Sequence, residues 1–459
     1  MGQWGNGAIR KMSTDLFAKY DVPVPRYTSY PTVPEWHTIP TTDEWTHSLA
    51  SAIEPADATL SLYLHLPFCE SLCTFCGCNT VITRDHGRAA PYMEVISREL
   101  DAYLARVPAL ASRAVCQMHL GGGTPTFLSP EQLGTLVDGI FSRLTRTTAG
   151  FEGSVEADPR VTTPAHLEAL YARGFTRLSL GVQDFNAETQ RLVNRIQSEA
   201  LVGDLVAHAR RLGYDSVNFD LIYGLPGQTL ESMRHTAEQV LRLNPDRLAV
   251  YSFARVPWIK PQQRKFKDDQ VPVGAEKRAL YDVIRGPLLE HGYIELGMDH
   301  FARPQDGLAQ AAAAGTMHRN FQGYTERRTT ALLGLGVSAI SETPDCYHQN
   351  EKVITVYDRR VQQGEIPTLR GHRLSADDRR RREKILSLMT TFRVSLAPDE
   401  AADARTFLEP LIEDGVVELE GDELRIPPHG RPFLRNAATL FDVHLRQSQP
   451  TGPLYSSAV

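Results

Sequence analysis

No run of this sequence is apolar enough, for long enough, to cross a bilayer as a helix. Neither sign of charge dominates: 49 Lys and Arg stand against 55 Asp and Glu, a net charge of −6. No global basic surface therefore advertises nucleic acid or an anionic membrane. The first eleven residues lack the apolar centre of a secretory signal, and Asn6 stands where an N-myristoylation start needs Ser or Thr. Cysteine is scarce, six in 459 residues, and nothing points to an oxidising compartment, which argues against a disulfide framework. No repeat of roughly 20–50 residues and no low-complexity tract is present. These absences predict a cytoplasmic chain. At 42% hydrophobic and 23% charged its composition is that of a soluble globular protein. The length allows two or three domains, or one large barrel with additions.

What is present is concentrated. Four of the six cysteines fall in ten residues: Cys69, Cys73 and Cys76, spaced C-x3-C-x2-C, with Cys78 next. Thiolates this close suit a metal or an iron–sulfur cluster. Three of them on a four-iron cube leave one iron open, and an open position is where chemistry happens. A structural zinc site using Cys78 as fourth ligand competes, although zinc ligands usually come as two separated pairs. Cys116 and Cys346 read as packing residues.

From residue 60 onward, strands alternate with helices. Strands are predicted at Leu60–Leu66, Val115–Leu120, Gly153–Ala157, Arg177–Val182, Ser216–Ile222 and Arg247–Phe253. Helices are predicted at Pro91–Arg106, Pro130–Leu144, Pro164–Ala172, Leu201–Leu212 and Leu230–Leu243, some opened by Ser129-Pro and Thr163-Pro start signals. Six such units imply an α/β fold with a parallel sheet, either a partial (β/α)6 barrel or a doubly wound open sheet. Before the first strand come a short helix, Ser13–Tyr20, and an extended segment bracketed by Pro25 and Pro31; its Tyr27 and Tyr30 point to a covering role. After Ala254 the pattern loosens, with a helix at Ala275–His291, an Ala-rich helix at Leu308–Ala314 and an apolar run at Leu332–Ile340. The last 85 or so residues have the order of a winged helix: helix Arg379–Phe392, a second helix, a hairpin of Val416–Leu419 and Glu423–Ile426, then helix Pro432–Leu445. The run Asp378–Lys384 reads as a solvated helix face. The expected domains are an N-terminal extension over the active site (1–59), the barrel and following elements (60–372) and a small winged-helix-like α+β domain (373–459).

A parallel barrel places its site at the C-terminal ends of the strands. In this sequence those ends carry the cysteine loop, then Gly121-Gly-Gly-Thr-Pro125, Glu156 and Asp158, Gln183 and Asp184, Asp220, and Ser252–Ala254. One triple glycine is ordinarily a tight turn, and one carboxylate ordinarily a helix cap; four strand ends that share this character point to a ligand. His65 and His119 read as buried strand histidines with satisfied hydrogen bonds.

These motifs resemble the radical S-adenosylmethionine (SAM) superfamily: the cysteine loop after the first strand, Gly121–Pro125, and Asp220-Leu-Ile-Tyr-Gly-Leu-Pro226. Within it the chain is similar, from about residue 22 to 446, to the oxygen-independent coproporphyrinogen III oxidase family. The motifs concerned are Arg26-Tyr-Thr-Ser-Tyr-Pro-Thr32, Cys76-Gly-Cys-Asn79, Gly181–Asn186, Leu192–Arg195, Gly297–Pro304 and His318-Arg-Asn-Phe-Gln-Gly-Tyr324. The first eleven residues, the segment Val256–Pro261 and the C-terminal tail match less well.

The resemblance implies the following roles. Cys69, Cys73 and Cys76 ligate a [4Fe-4S] cluster, and Cys78 does not. One SAM lies among Tyr63, Gly122, Glu156, Ala254 and Ile340. A second SAM is held by Phe75, Gly123, Thr124, Gln183, Arg195 and Asp220, and Arg195 can pair with a carboxylate. The implied reaction is oxidative decarboxylation of two propionates of coproporphyrinogen III to vinyl groups, giving protoporphyrinogen IX in haem biosynthesis through a 5′-deoxyadenosyl radical. The implied partners are this tetrapyrrole and a flavodoxin-like reductase, with the chain a monomer. Three alternatives are a haem-binding chaperone of the same superfamily, a tetrapyrrole-modifying methyltransferase, and a zinc-bearing DNA-binding regulator. The net negative charge and the absence of a basic recognition helix weigh against the last.

Overall fold

The computed structural model describes residues 14–147, 150–447 and 455. The first eleven residues, and with them the start signals considered above, lie outside the described residues. Six strands follow the predicted order: β1 (Leu60–Leu66), β2 (Val115–Gly122), β3 (Glu152–Ala157), β4 (Phe175–Gln183), β5 (Ser216–Tyr223) and β6 (Arg247–Ser252). They pair in parallel, each with the next in sequence. A doubly wound sheet reverses its strand order at a switch point; this one does not, so the partial barrel is the architecture. The strands carry on through the other residues of one twelve-stranded sheet. On one side, β6 is followed by β8 (His300–Ala302) and then β7 (Ile294–Gly297). On the other, β1 is flanked by β9 (Ala331–Leu335), β10 (Ile340–Glu342), β11 (Cys346–Asn350) and β12 (Thr368–Arg373). The apolar run expected only as a loose segment is thus a seventh parallel strand, β9, beside β1.

Each crossover carries a helix whose ends are chemically marked. After α1 (Thr14–Tyr20) and α2 (Thr42–Ala52) come α3 (Ala89–Arg106), α4 (Pro130–Phe141), α5 (Pro164–Tyr171), α6 (Glu199–Leu212) and α7 (Leu230–Leu243). Helix α4 begins with Pro130 in its first turn and a reciprocal cap, in which Gln132 N–H donates to Ser129 Oγ and Ser129 N–H to Gln132 Oε1. Helix α7 ends on Asn244 in the left-handed region.

Alternation along the strands decides what the barrel encloses. Gln117, His119, Ser154, Glu156, Arg177, Ser179, Asn218, Asp220, Ala249 and Tyr251 line one internal cavity. Their neighbours Met118, Leu120, Val155, Leu180, Phe219 and Leu248 are buried in the main hydrophobic core. The N-terminal end of the cavity is floored by charge: Arg247 pairs with Asp306 (2.5 Å) and Glu326, and Arg177 also pairs with Glu326.

The chain's two ends share a core of their own. Phe17, Tyr20, Val24, Tyr27 and Tyr30 pack with Leu388, Leu424, Phe433 and Leu434, whereas Trp45 and Leu49 of α2 belong to the barrel's core. The C-terminal region holds α9 (Ala376–Thr391), after α8 (Gly274–Glu290), and a three-stranded sheet to which Arg393–Ser395 adds an unexpected strand. The predicted continuous helix Pro432–Leu445 is broken into short 3-10 and α turns. Its side chains are committed to the N-terminal segment: Arg435 donates to Val24 O and Pro25 O, and Asn436 to Tyr20 O (3.0 Å). Asp442 interrupts the run by accepting from Tyr27 OH (3.1 Å) and Leu445 N (2.9 Å). Nor is Asp378–Lys384 wholly solvated. Asp378 and Arg382 are buried, because with Ile385 and Met389 they fall on the inward stripe of α9.

Glu99 of α3 ties the turn after β9 to the barrel wall. Fully buried, it accepts from Gly336 N (2.8 Å), Tyr357 OH (2.6 Å) and Asn350 Nδ2 (2.6 Å). Burial outweighs these donors and pushes its carboxyl up to about 7. An unfolded Glu releases its proton near pH ~4.3. The folded chain therefore draws full stability from this group below that value and loses it as pH rises through about 7. Glu99→Gln cannot titrate, so it should flatten the decline in Tm between roughly pH 5 and 8; a thermal-unfolding series with an unchanged slope excludes this role.

Candidate active site

The segment after β1 is irregular, so its backbone polar groups need partners from elsewhere. They have them. Pro67 O and Cys69 O accept from Val81 N (2.8 Å) and Thr83 N (2.9 Å), and Thr74 N donates to Val193 O (3.0 Å). Side chains reach four more carbonyls: Asn194 donates to Leu72 O (2.8 Å), Gln263 to Phe75 O (3.1 Å), Gln262 to Cys76 O (2.9 Å) and Lys260 to Cys78 O (2.9 Å). Gln263 also donates to Ala254 O (3.2 Å) and is itself buried, so the segment after β6 is latched onto the cysteine loop.

All six cysteines are free thiols. Cys73 is buried and accepts from Arg160 Nη2 (3.4 Å) and Arg195 Nη1 (3.7 Å). Cys69 Sγ lies 3.3 Å from Thr124 Oγ1. Burial pushes the Cys69 thiol up to about 11. The hydrogen bond from Cys78 lowers that of Cys76, and Cys78 N also donates to Cys76 Sγ (3.4 Å). Cys78 is thus a donor to a neighbouring sulfur. Cys116 and Cys346 are buried away from this loop.

The glycines of β2 and its exit are fixed by close approach. A Cβ on Gly121 would lie 3.0 Å from the Glu156 carboxylate, one on Gly122 2.8 Å from the His65 ring, and one on Gly123 2.4 Å from Pro67 O. Gly122 also has φ +113°, which disfavours any other residue. Gly122 N donates to Glu156 Oε2 (3.2 Å). Gly123 N and Thr124 N donate to Leu66 O (2.8 Å) and Phe68 O (2.9 Å), which clips the glycine turn to the start of the cysteine loop.

Inside the barrel mouth the predicted carboxylates face one another. Glu156 Oε1 meets His119 Nε2 (3.1 Å), and His119 Nδ1 meets Ser154 Oγ (2.6 Å). Burial opposes the Glu156 charge, but His119 and the Gly122 N–H outweigh it and hold its carboxyl below the usual range. Asp220 accepts from Ser179 Oγ and Asn218 Nδ2, both 3.0 Å. Burial, then the neighbouring Glu156 charge, lift its carboxyl to about 6. Tyr63 lies parallel to His119 at 5.8 Å and donates its hydroxyl to His65 Nδ1 (3.0 Å), the His65 Nε2–H going to Asn79 O (2.9 Å). His65 is the satisfied buried histidine expected; His119 is satisfied too, but it lines the cavity. Gln183 adopts φ +68° at the end of β4. Phe75 packs beside Val193, Leu225 and Phe253, and Ile340 lies in a separate cluster with Trp36 and Tyr347.

Residues 63–240 match the family model of the radical SAM superfamily. The chain is 43% identical to the oxygen-independent coproporphyrinogen III oxidase of Escherichia coli K12, over 94% of this chain and 95% of that one. It is 38% identical to the namesake enzyme of Synechocystis, with 98% of each covered. The solved structure of coproporphyrinogen III oxidase (HemN) from Escherichia coli, a radical SAM enzyme, superposes with a TM-score of 0.87 at 41% identity, covering 94% of this chain and 99% of that one. The chain belongs to the oxygen-independent coproporphyrinogen III oxidases.

A radical SAM oxidase needs an iron–sulfur cluster and SAM, and the residues present fit both. Three unbridged thiols share one loop whose carbonyls are held at Leu72, Phe75, Cys76 and Cys78 by side chains from other elements. Two arginines donate to Cys73, which suits a thiolate. The glycine turn joins that loop to Glu156, with Gly123 N and Thr124 N donating to the loop and Gly122 N to the carboxylate.

Arg195 does pair with a carboxylate, that of Asp158 (2.7 Å); it also donates to Gly181 O (2.6 Å) and to Cys73 Sγ (3.7 Å). Arg160, Asn194, Gln262, Gln263 and Lys260, which hold the loop, were not singled out in the sequence. Three of these lie in the turn and short helix after β6, and their only signal was proximity to a strand end.

Gly123 offers a test of the clip. Gly123→Ala puts a methyl against Pro67 O, where only backbone can yield, so the variant should fold yet retain less than about a tenth of its iron after anaerobic reconstitution, a loss of about 1.4 kcal/mol or more in site stability. Full iron content in that variant rules out the clip as the loop's constraint.

Proposed function

We propose that this chain catalyses oxygen-independent oxidative decarboxylation of two propionate side chains of coproporphyrinogen III, giving the two vinyl groups of protoporphyrinogen IX. The observation that carries this is the near full-length likeness to the named oxidases, together with a thiol loop clipped to the glycine turn, whose Gly122 N–H binds Glu156 of a polar barrel cavity. Each propionate, R–CH2–CH2–COO⁻, becomes R–CH=CH2 and CO2, with a hydrogen atom leaving the β-carbon and one further electron passing to an acceptor.

Cys69, Cys73 and Cys76 would ligate a [4Fe-4S] cluster, and Cys78 tunes Cys76. When bound, the cluster and SAM supply single-electron reduction and a radical able to remove that hydrogen atom. Tyr63, Gly122, Glu156, Ala254 and Ile340 surround one SAM in this reading. Phe75, Gly123, Thr124, Gln183, Arg195 and Asp220 hold a second. Glu156, kept ionised, accepts from an amino or hydroxyl group. Asp220, near its midpoint at weakly acidic pH, can either accept or donate. Arg195 and Arg160 neutralise the thiolate region, and the barrel wall and covering segment exclude water from the reacting carbon. A flavodoxin-like reductase as donor, a monomeric state and a cytoplasmic setting complete the proposal. Among the described residues no helix is long and apolar enough to cross a membrane.

The ligand assignment separates cleanly by substitution. Cys73→Ser, like Cys69→Ser or Cys76→Ser, should lose the visible cluster absorption and all SAM cleavage. Cys78→Ser should bind about four iron per chain and form vinyl product. Vinyl product from Cys73→Ser, or a zinc-loaded and iron-free wild type after anaerobic reconstitution, would overturn the assignment.

A further inference from the structure

The segment His318–Tyr324 forms a small hairpin in which Arg319 pairs across with Tyr324. The Arg319 guanidinium lies over the Tyr324 ring at 4.5 Å, and the residue is only 5% exposed. Nη2 donates to Arg26 O (3.2 Å). Nε and Nη1 have no hydrogen-bond partner among the described residues. A buried cation with unmet donors is costly unless a counter-ion arrives.

Among the described residues no carboxylate is ion-paired with Arg319: Glu342, which lines the same small pocket, is paired with Arg382 (3.5 Å). Asp299, whose charge reaches Arg319, is ion-paired with Arg26. The buried Arg435 feels the same carboxylate. Three guanidiniums thus share Asp299, and the strain shows: burial, then the charge of Arg26, lower Arg435 to about 9. Burial likewise lowers Arg319, with Arg26 adding to it. The place is not remote from the chemistry. Arg26 lies over the Tyr251 ring at 5.5 Å, and Tyr251 and Tyr324 line the barrel cavity that also holds Glu156 and Asp220.

We propose that Arg319 anchors a propionate carboxylate of the tetrapyrrole, its unshared donors taking the carboxylate oxygens while another propionate is presented at the barrel mouth. This rests on the functional reading above and adds a named substrate contact to it.

The test uses the full-length chain, reconstituted anaerobically. Arg319→Gln should raise KM for coproporphyrinogen III about thirtyfold or more, leaving SAM affinity and the cluster's electron paramagnetic resonance signal as in wild type. The stable probe coproporphyrin III should bind wild type more tightly than its tetramethyl ester does, and the variant should lose most of that difference. A merely structural role would not discriminate acid from ester. Where the Gln variant does not fold, Arg319→Lys serves, with a smaller rise in KM and the same unchanged SAM affinity. An unchanged KM in the folded variant overturns the proposal, as does a loss confined to SAM binding, which would assign the carboxylate to SAM. A wild type that makes no vinyl product counts against the functional reading itself, whatever the variants do.

Discussion

The site depends on satisfying a stretch of backbone whose regular structure is limited to the pairing of Phe68–Cys69 with Val81–Ile82. Thiols that share one metal centre must sit on a chain free to curve around it, and such a chain forfeits the ladder that would pair its own carbonyls. Here the debt is met from three directions: the glycine turn after β2, the Asn194 amide, and the Gln262, Gln263 and Lys260 side chains beyond β6. Each direction also carries a residue proposed to touch SAM. In that proposal the loop's conformation and the cofactor pocket are one construction. A change that loosens the turn after β6 is felt at the sulfurs, although no sulfur touches it.

Polarity inside the barrel follows from strand geometry alone. With side chains alternating, each strand sends every second residue inward, and these are Gln, His, Ser, Glu, Asn and Asp where a packed barrel would have Val, Ile and Leu. Such a lining needs its own hydrogen bonds, and it has them: His119 links Ser154 to Glu156, and Ser179 and Asn218 both serve Asp220. The two carboxylates end with opposite tendencies. Glu156 is held ionised by His119, and Asp220 is pushed toward the proton by burial and by Glu156. One cavity thus offers a fixed anion and a switchable one.

Much of this could be read from the sequence, because alternation and spacing are local. The strand β1 is found where predicted, and β2 to β6 begin and end within two residues of their predicted limits. The cysteine loop, the triple glycine and the carboxylates at strand ends were visible for the same reason. What was not visible depends on distant partners. β9 looked like a loose apolar run because its pairing with β1 spans most of the chain. The helix expected near Pro432–Leu445 is broken because Arg435, Asn436 and Asp442 are bound to the N-terminal segment, a competition that periodicity does not register. Arg382 carries a charged residue's label, yet its place on α9 turns it inward. The partner of Arg195 could not be chosen among many acids, and Gln263 has a common side chain whose function comes from where β6 ends.

The shared core of the two chain ends has a consequence for biosynthesis. Phe17, Tyr20 and Tyr27 are buried with Phe433, Leu434 and their neighbours, which follow far later in the chain. The barrel's strands can pair as they emerge, each beside its predecessor, but this earlier segment must wait, apolar and uncovered, for the later one. Until then the segment that carries Arg26 over the Tyr251 ring lacks the apolar partners that hold it at the cavity.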